Sequence, residues 1–145
     1  MFVKGILDEK GKDLITIAES ETAQAAANLF KTERIGFAIV TGDSSAHVGS
    51  VSERDIVQAL ADHGDLSSTP VTEIMTRNVV TVCPDDTLET VQEIMTERRT
   101  RHVIVKEGDK VVGVVSIGDL IKQSLNQCQI DTSQMRDYIG GTGYQ

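Results

Sequence analysis

Ser52 and Asp55 stand three residues apart in VGSVSERD, and Ser116 and Asp119 stand three apart in VGVVSIGD. Two kinds of chemistry use such a pair. A serine ahead of a helix with an acidic residue three positions later forms a capping box, in which both side chains take backbone N–H groups of the first turn. At a strand-to-helix junction the same pair can hold a nucleoside phosphate. An ionised Asp only accepts hydrogen bonds and can take both hydroxyls of a ribose diol, while the Ser hydroxyl donates to a phosphate oxygen near the positive end of the helix. The aspartate divides the two readings: a capping Asp folds back on its own helix, and a ribose-binding Asp points outward. Asp is a shorter and poorer capping partner than Glu, and both copies carry Asp.

The other reactive side chains are sparse. Arg98, Arg99 and Arg101 fall together in ERRTRH, directly before His102. They are the local exception in a chain of formal net charge −8, a balance that argues against binding nucleic acid or an anionic membrane in general. An arginine run of this kind is either a solvated face or an anion site. Cys83 and Cys128 have no Cys or His at metal-ligand spacing and read as ordinary reduced thiols. His47, His63 and His102 are dispersed. No H-x-E, HExxH, C-x-x-C, G-x-S-x-G, P-loop or G-x-G-x-x-G pattern is present, so no catalytic residue and no metal site is expected.

These residues must be positioned by a duplicated unit. Residues 14–40 (LITIAESETAQAAANLFKTERIGFAIV) align with 79–105 (VVTVCPDDTLETVQEIMTERRTRHVIV) at an offset of 65, and 48–60 align with 112–124 at an offset of 64. The lead-in segments VKGIL (3–7) and VTEIM (71–75) are also alike. Each copy reads as a short strand, an amphipathic helix, two strands joined by a Gly-Asp turn, and a second helix after the serine. The first helices carry Ala25, Ala26, Leu29 and Phe30 or Leu88, Val91, Ile94 and Met95. The second carry Ile56, Val57 and Leu60 or Leu120, Ile121 and Leu125. The order is β-α-β-β-α twice, with a linker near ADHGDLSSTP (61–70). Neither unit of about 60 residues buries enough surface alone, so the two are expected to share a core. The C-terminal stretch continues as a helix through Ile130, Met135, Tyr138 and Ile139 before GGTGYQ. No run of about 18 apolar residues occurs, and the N-terminus lacks the pattern of a secretory signal. A soluble cytoplasmic protein is expected.

The order and duplication of these segments resemble a tandem pair of cystathionine-β-synthase (CBS) domains, a Bateman module, over roughly residues 2–125, and most closely the stand-alone bacterial CBS-pair proteins. The resemblance implies an α+β fold of two β-α-β-β-α units with pseudo-two-fold symmetry, packed through their sheets. It implies a first unit at 1–65 with its lead-in, a second at 66–127, and a C-terminal helix and flexible tail at 128–145. It further implies a non-catalytic regulatory module for an adenosine ligand. AMP is foremost, with ADP, ATP, NAD(H) and S-adenosylmethionine as alternatives, and ligand acts by changing dimer or partner contacts.

By the same resemblance each site draws on both copies. The Asp119 site would comprise Thr16, Ala18, Ile35, Gly36, Phe37, Arg101, His102, Val114, Ser116 and Asp119. The Asp55 site would comprise Thr81, Cys83, Thr100, Arg101, His102, Ser50, Ser52, Arg54 and Asp55, with Arg98 and Arg99 as further phosphate candidates. Cys83 stands where a hydroxyl residue is expected, and Gly36-Phe37 stand where the second copy has Arg101-His102, so the two sites should differ in phosphate electrostatics. A homodimer of CBS pairs is expected, with no nucleic acid and no membrane among its partners. The alternative is a structural adaptor whose pockets are vestigial.

Overall fold

The computed structural model describes residues 1–11, 14–43 and 46–140, and in the last helix omits the side chains of 130, 131, 133, 134 and 136–140. The helical spacing expected at Ile130, Tyr138 and Ile139, and the tail 141–145, therefore lie outside the described side chains and residues.

Two units of the same make follow one another. The first is β1 (Thr16–Ala18), α2 (Ala23–Glu33), β2 (Phe37–Thr41), β3 (His47–Ser52) and α3 (Glu53–His63). The second is β4 (Thr81–Val82), α5 (Leu88–Arg98), β5 (His102–Glu107), β6 (Lys110–Ser116) and α6 (Ile117–Gly140). A lead-in helix precedes each: α1 (Val3–Lys10) and the single turn α4 (Val71–Ile74). Each unit forms a three-stranded sheet, ordered β1-β2-β3 or β4-β5-β6, with the first pair parallel and the second antiparallel. The fold is α+β, and its duplication extends to register: Thr16 pairs with Ile39 as Thr81 pairs with Ile104, and Phe37 with Ser52 as His102 with Ser116.

Local signals repeat as well. Thr22 and Thr87 cap α2 and α5, their hydroxyls accepting from Ala25 N and Thr90 N. Both helices end on an arginine in the left-handed region, Arg34 (φ 55°) and Arg99 (φ 53°). The stretch 61–70, which joins the two units, is ordered. α3 runs to His63, Gly64 ends it at φ 73°, and Asp65 then gathers Ser67 and Ser68. Thr69 O and Leu66 O accept from Ala23 N and Gln24 N, which ties the stretch to the start of α2.

The lead-in helices are exchanged between units. Val3, Ile6 and Leu7 of α1 are buried with Val82, Val91, Met95, Val103, Val105, Val115 and Leu120, the core of the second unit. Val71 of α4 is buried with Ile17, Ala26, Phe30, Ala38, Val40 and Val51, the core of the first. Each fully buried aliphatic contributes about 1.5–3 kcal/mol relative to exposure, so neither core is complete without the other unit's lead-in. The division of the chain near residue 65 is thus one of sequence order, and in space the two halves interlock.

The glycine that opens each repeated phrase marks the crossing. A Cβ on Gly49 would stand 2.7 Å from Thr76 O and 2.9 Å from Met75 Sδ. A Cβ on Gly113 would fall inside contact distance of the Leu7 side chain. Only glycine lets the lead-in lie this close to β3 or β6.

Side chains alternate across each strand. Ala38, Val40, Val51, Val103, Val105 and Val115 face the helices. Ile39 and Ile104 belong to neither helical cluster, yet are almost wholly buried on the opposite face. That face is the one the units turn toward each other, and Phe37 meets His102 across it, rings stacked with centroids 4.6 Å apart and 15° between planes. The second helices bury less than their periodicity suggests. Leu120 is in the core, whereas Val57, Leu60, Ile121 and Leu125 are more than half exposed.

Candidate functional site

The alternation that sends valines into the helical cores sends Ser50, Ser52, Val114 and Ser116 to the inter-unit face. Each strand then passes into a helix whose first turn is held twice. Glu53 N donates to Gly36 O (3.0 Å) and Ile117 N to Arg101 O (2.8 Å). Asp55 N donates to Ser52 Oγ (3.3 Å) and Asp119 N to Ser116 Oγ (3.2 Å). Of the first three donors of each helix, only those of Arg54 and Gly118 are not spent on these partners. Both capping boxes are closed by the aspartates, since Ser52 N donates to Asp55 Oδ2 and Ser116 N to Asp119 Oδ2, each at 2.9 Å. Capping and ligand binding are therefore not exclusive geometries here: one carboxylate oxygen caps, and Oδ1 of each aspartate accepts no hydrogen bond among the described residues.

A cleft of about 530 Å³ opens beside Asp55. Its walls come from both units: Ser50, Ser52, Glu53, Arg54, Asp55 and Val57 from the first, and Arg98, Arg99, Thr100, Arg101 and His102 from the second. Four arginines against two carboxylates give it a positive balance in an acidic chain. Gly36 and Phe37, expected at the Asp119 site, also line it. Thr81 and Cys83 do not. Both lie on the edge strand β4 and its exit, where Cys83 N donates to Asp86 Oδ2 (2.8 Å), and the preceding Val79 and Val80 take the place in the wall. Thr76 and Asn78 complete it. Neither Thr76, Asn78, Val79 nor Val80 was legible from the Ser-x-x-Asp pattern, but the likeness of the two lead-ins, followed a few residues further, leads to them.

At Asp119 the surroundings differ. Lys10, the last residue of α1, donates from Nζ to Asp119 Oδ2 (2.8 Å) and to Val114 O (2.9 Å). Burial works to raise the Asp119 carboxyl, but hydrogen bonds from Lys10 and Ser116 and the Lys10 charge outweigh it and hold the group below the usual carboxylate range. Thr16 and Ala18 are exposed on β1. His102 lies between the two sites. It lines the Asp55 cleft, while its pKa is pushed down to about 4 by burial first and then by Lys10, with an upward pull from Asp119 and a last, downward contribution from Arg101. Among the described residues no group of three or more His, Cys, Asp or Glu side chains converges, and no helix is long and apolar enough to cross a membrane.

A family profile for the CBS domain matches residues 4–62 and 71–126. A solved CBS-domain containing protein from Agrobacterium tumefaciens superposes with a TM-score of 0.81 at 38% identity, over 83% of this chain and 91% of that one. A CBS domain protein from Pyrobaculum aerophilum, complexed with AMP, superposes with a TM-score of 0.73 at 30% identity, over 82% and 89%. The CBS domain pair of protein MJ0100, in complex with 5-methylthioadenosine and S-adenosyl-L-methionine, superposes with a TM-score of 0.76 at 29% identity, over 88% and 98%.

Proposed function

The chain belongs to the CBS domain family, as two units of it, and from that premise we propose that it is a regulatory module that binds an adenosine-containing ligand between its units. The observation that carries this reading is the Asp55 cleft, where a carboxylate oxygen left over from capping and four arginines face one another across walls drawn from both units. Asp55 takes the ribose diol and Ser52 with the arginines takes the phosphates, a division that follows from what each group donates and accepts. Asp119 and Ser116 form the equivalent half-site. Relatives of the same fold carry AMP, 5-methylthioadenosine and S-adenosyl-L-methionine, so adenosine is the common element, and the arginines favour a phosphorylated form, AMP foremost. The module performs no catalytic step of its own. Ligand acts by binding one arrangement of the module, or of a dimer of it, better than another. The dimer is a second copy of this chain, seated on the exposed apolar faces of α3 and α6 and on the apolar groove of about 550 Å³ between α5 and α6. The two exposed free thiols, Cys83 and Cys128, fit a reducing cytoplasm.

Thermal shift against AMP, ADP, ATP, NAD(H) and S-adenosylmethionine tests the reading, because a ligand that binds only the folded state raises its melting temperature. At least one should do so, and Asp55→Ala should weaken that ligand by about ten- to hundredfold in calorimetry, as expected for loss of a charged hydrogen-bond partner. If none of the five stabilises the protein at millimolar concentration, the structural-adaptor role is what remains.

A further inference from the structure

We propose that Lys10 is a tethered counter-ion that occupies the Asp119 half-site in place of ligand, so that the two half-sites fill unequally and the Asp55 cleft fills first. This rests on the adenosine-ligand reading and adds to it a determinant outside both Ser-x-x-Asp phrases.

The two halves of the molecule are nearly superposable in pattern, so the point where they part is informative. At the first unit, α4 ends after one turn and the chain runs on extended, forming a backbone bridge in which Thr76 N donates to Ser50 O at 2.7 Å. At the second, α1 continues to Lys10 before Gly11 ends it at φ 85°. The carbonyl equivalent to that of Ser50 is that of Val114, and it receives the Lys10 ammonium instead of a backbone N–H. The same ammonium then reaches Asp119. Counted from the paired lead-ins, the residue opposite Lys10 is Asn78, which lines the Asp55 cleft and carries no charge. Asp55 has no cationic side chain within salt-bridge distance among the described residues.

Oδ1 is open at both aspartates, but a ribose diol that spans both oxygens of Asp119 must compete with a cation at Oδ2, whereas at Asp55 it meets none. The competitor is held in place by the helix that bears it. Val3, Ile6 and Leu7 anchor α1 in the second core, and Gly113 admits Leu7 against β6. Its local concentration is thus fixed by the fold. The bridge itself is partly solvated, the side chains of Lys10 and Asp119 being 38% and 22% exposed. It is displaceable, and its effect is a handicap on the second site, not a block.

Calorimetric titration with AMP, and separately with ATP, tests this on four proteins: wild type, Asp55→Ala, Asp55→Ala with Lys10→Met, and Asp55→Ala with Lys10→Arg. Lys10 sits at an exposed helix end, and Met keeps its aliphatic stem. With the Asp55 cleft disabled, Lys10→Met should tighten binding at Asp119 by about two- to fivefold, the range of a partly exposed ion pair, and Lys10→Arg should not. If Asp55→Ala binds nothing measurable, recovery of binding on adding Lys10→Met supports the inference and no recovery overturns it. Affinity that is unchanged or weaker in Lys10→Met, with wild type binding normally, sinks the inference alone. Wild type that takes up neither nucleotide sinks the adenosine reading and this inference with it.

Discussion

Asp55 and Asp119 cap their helices with the same oxygen, Oδ2, and differ in what stands beside the carboxylate: an arginine-rich cleft in one case, and in the other a lysine that shares Oδ2 with the cap. His102 stands between them and is the residue most exposed to that difference. Its folded pKa of about 4 lies below the ordinary 6.5, so the unfolded chain takes up this proton first. The stability His102 allows is accordingly full above about pH 6.5 and is lost as the pH falls toward 4. Between pH 7 and pH 5, wild type should lose about 1 kcal/mol more than His102→Phe, with solvent screening of a partly exposed ring taken into account. Phe preserves the stack on Phe37, and urea midpoints of the two proteins at the two pH values provide the check. The aspartates were legible from spacing alone, and so was the competing capping role. Lys10 was not, because its contacts span more than a hundred residues and no local pattern announces a lysine that ends one helix and serves the start of another.

At the scale of elements, the repeated Gly of VGSVS and VGVVS turned out to be the seat of a crossing. Sequence showed that the glycine recurs but not why, since its reason is another segment passing over the strand. The two positions should respond differently to the same change. Gly49→Ala meets a backbone carbonyl, Thr76 O, which cannot move without breaking the bridge to Ser50, and should cost about 2–3 kcal/mol. Gly113→Ala meets the end of the Leu7 side chain, which can rotate, and should cost about 1 kcal/mol. Denaturant unfolding of both variants decides it, with equal losses counting against the crossing as the cause. The strand and helix order was readable because each element's apolar period is strong, as in Leu88, Val91 and Met95. Sequence did not show that the stretch 61–70 joining the units is ordered, because Gly64, Asp65 and Thr69 act as caps and ties there and that same composition also marks loops.

The molecule as a whole carries apolar side chains its own fold leaves uncovered: Val57 and Leu60 on α3, and Ile117, Ile121 and Leu125 on α6. Val57 and Ile121 occupy equivalent places in the two units, so the uncovered face follows the duplication and is not a stray patch. Light scattering after size exclusion should find a dimer, and Ile121→Glu should weaken it by about tenfold or more, since a charge would replace a buried aliphatic at the seam. A wild-type monomer at micromolar concentration would remove the basis for the dimer. The pseudo-two-fold arrangement itself was foreseeable from the offsets of 64 and 65, but the exchange of lead-ins was not, because hydrophobic periodicity says which face is buried and not against what. That exchange also sets a schedule for synthesis. The apolar face of α1 leaves the ribosome ahead of both units, yet its partners on β5 and β6 follow the whole of the first unit. A newly made chain thus holds an unclosed clasp while the first unit and most of the second are being made, and the fastening of α1 closes the second core.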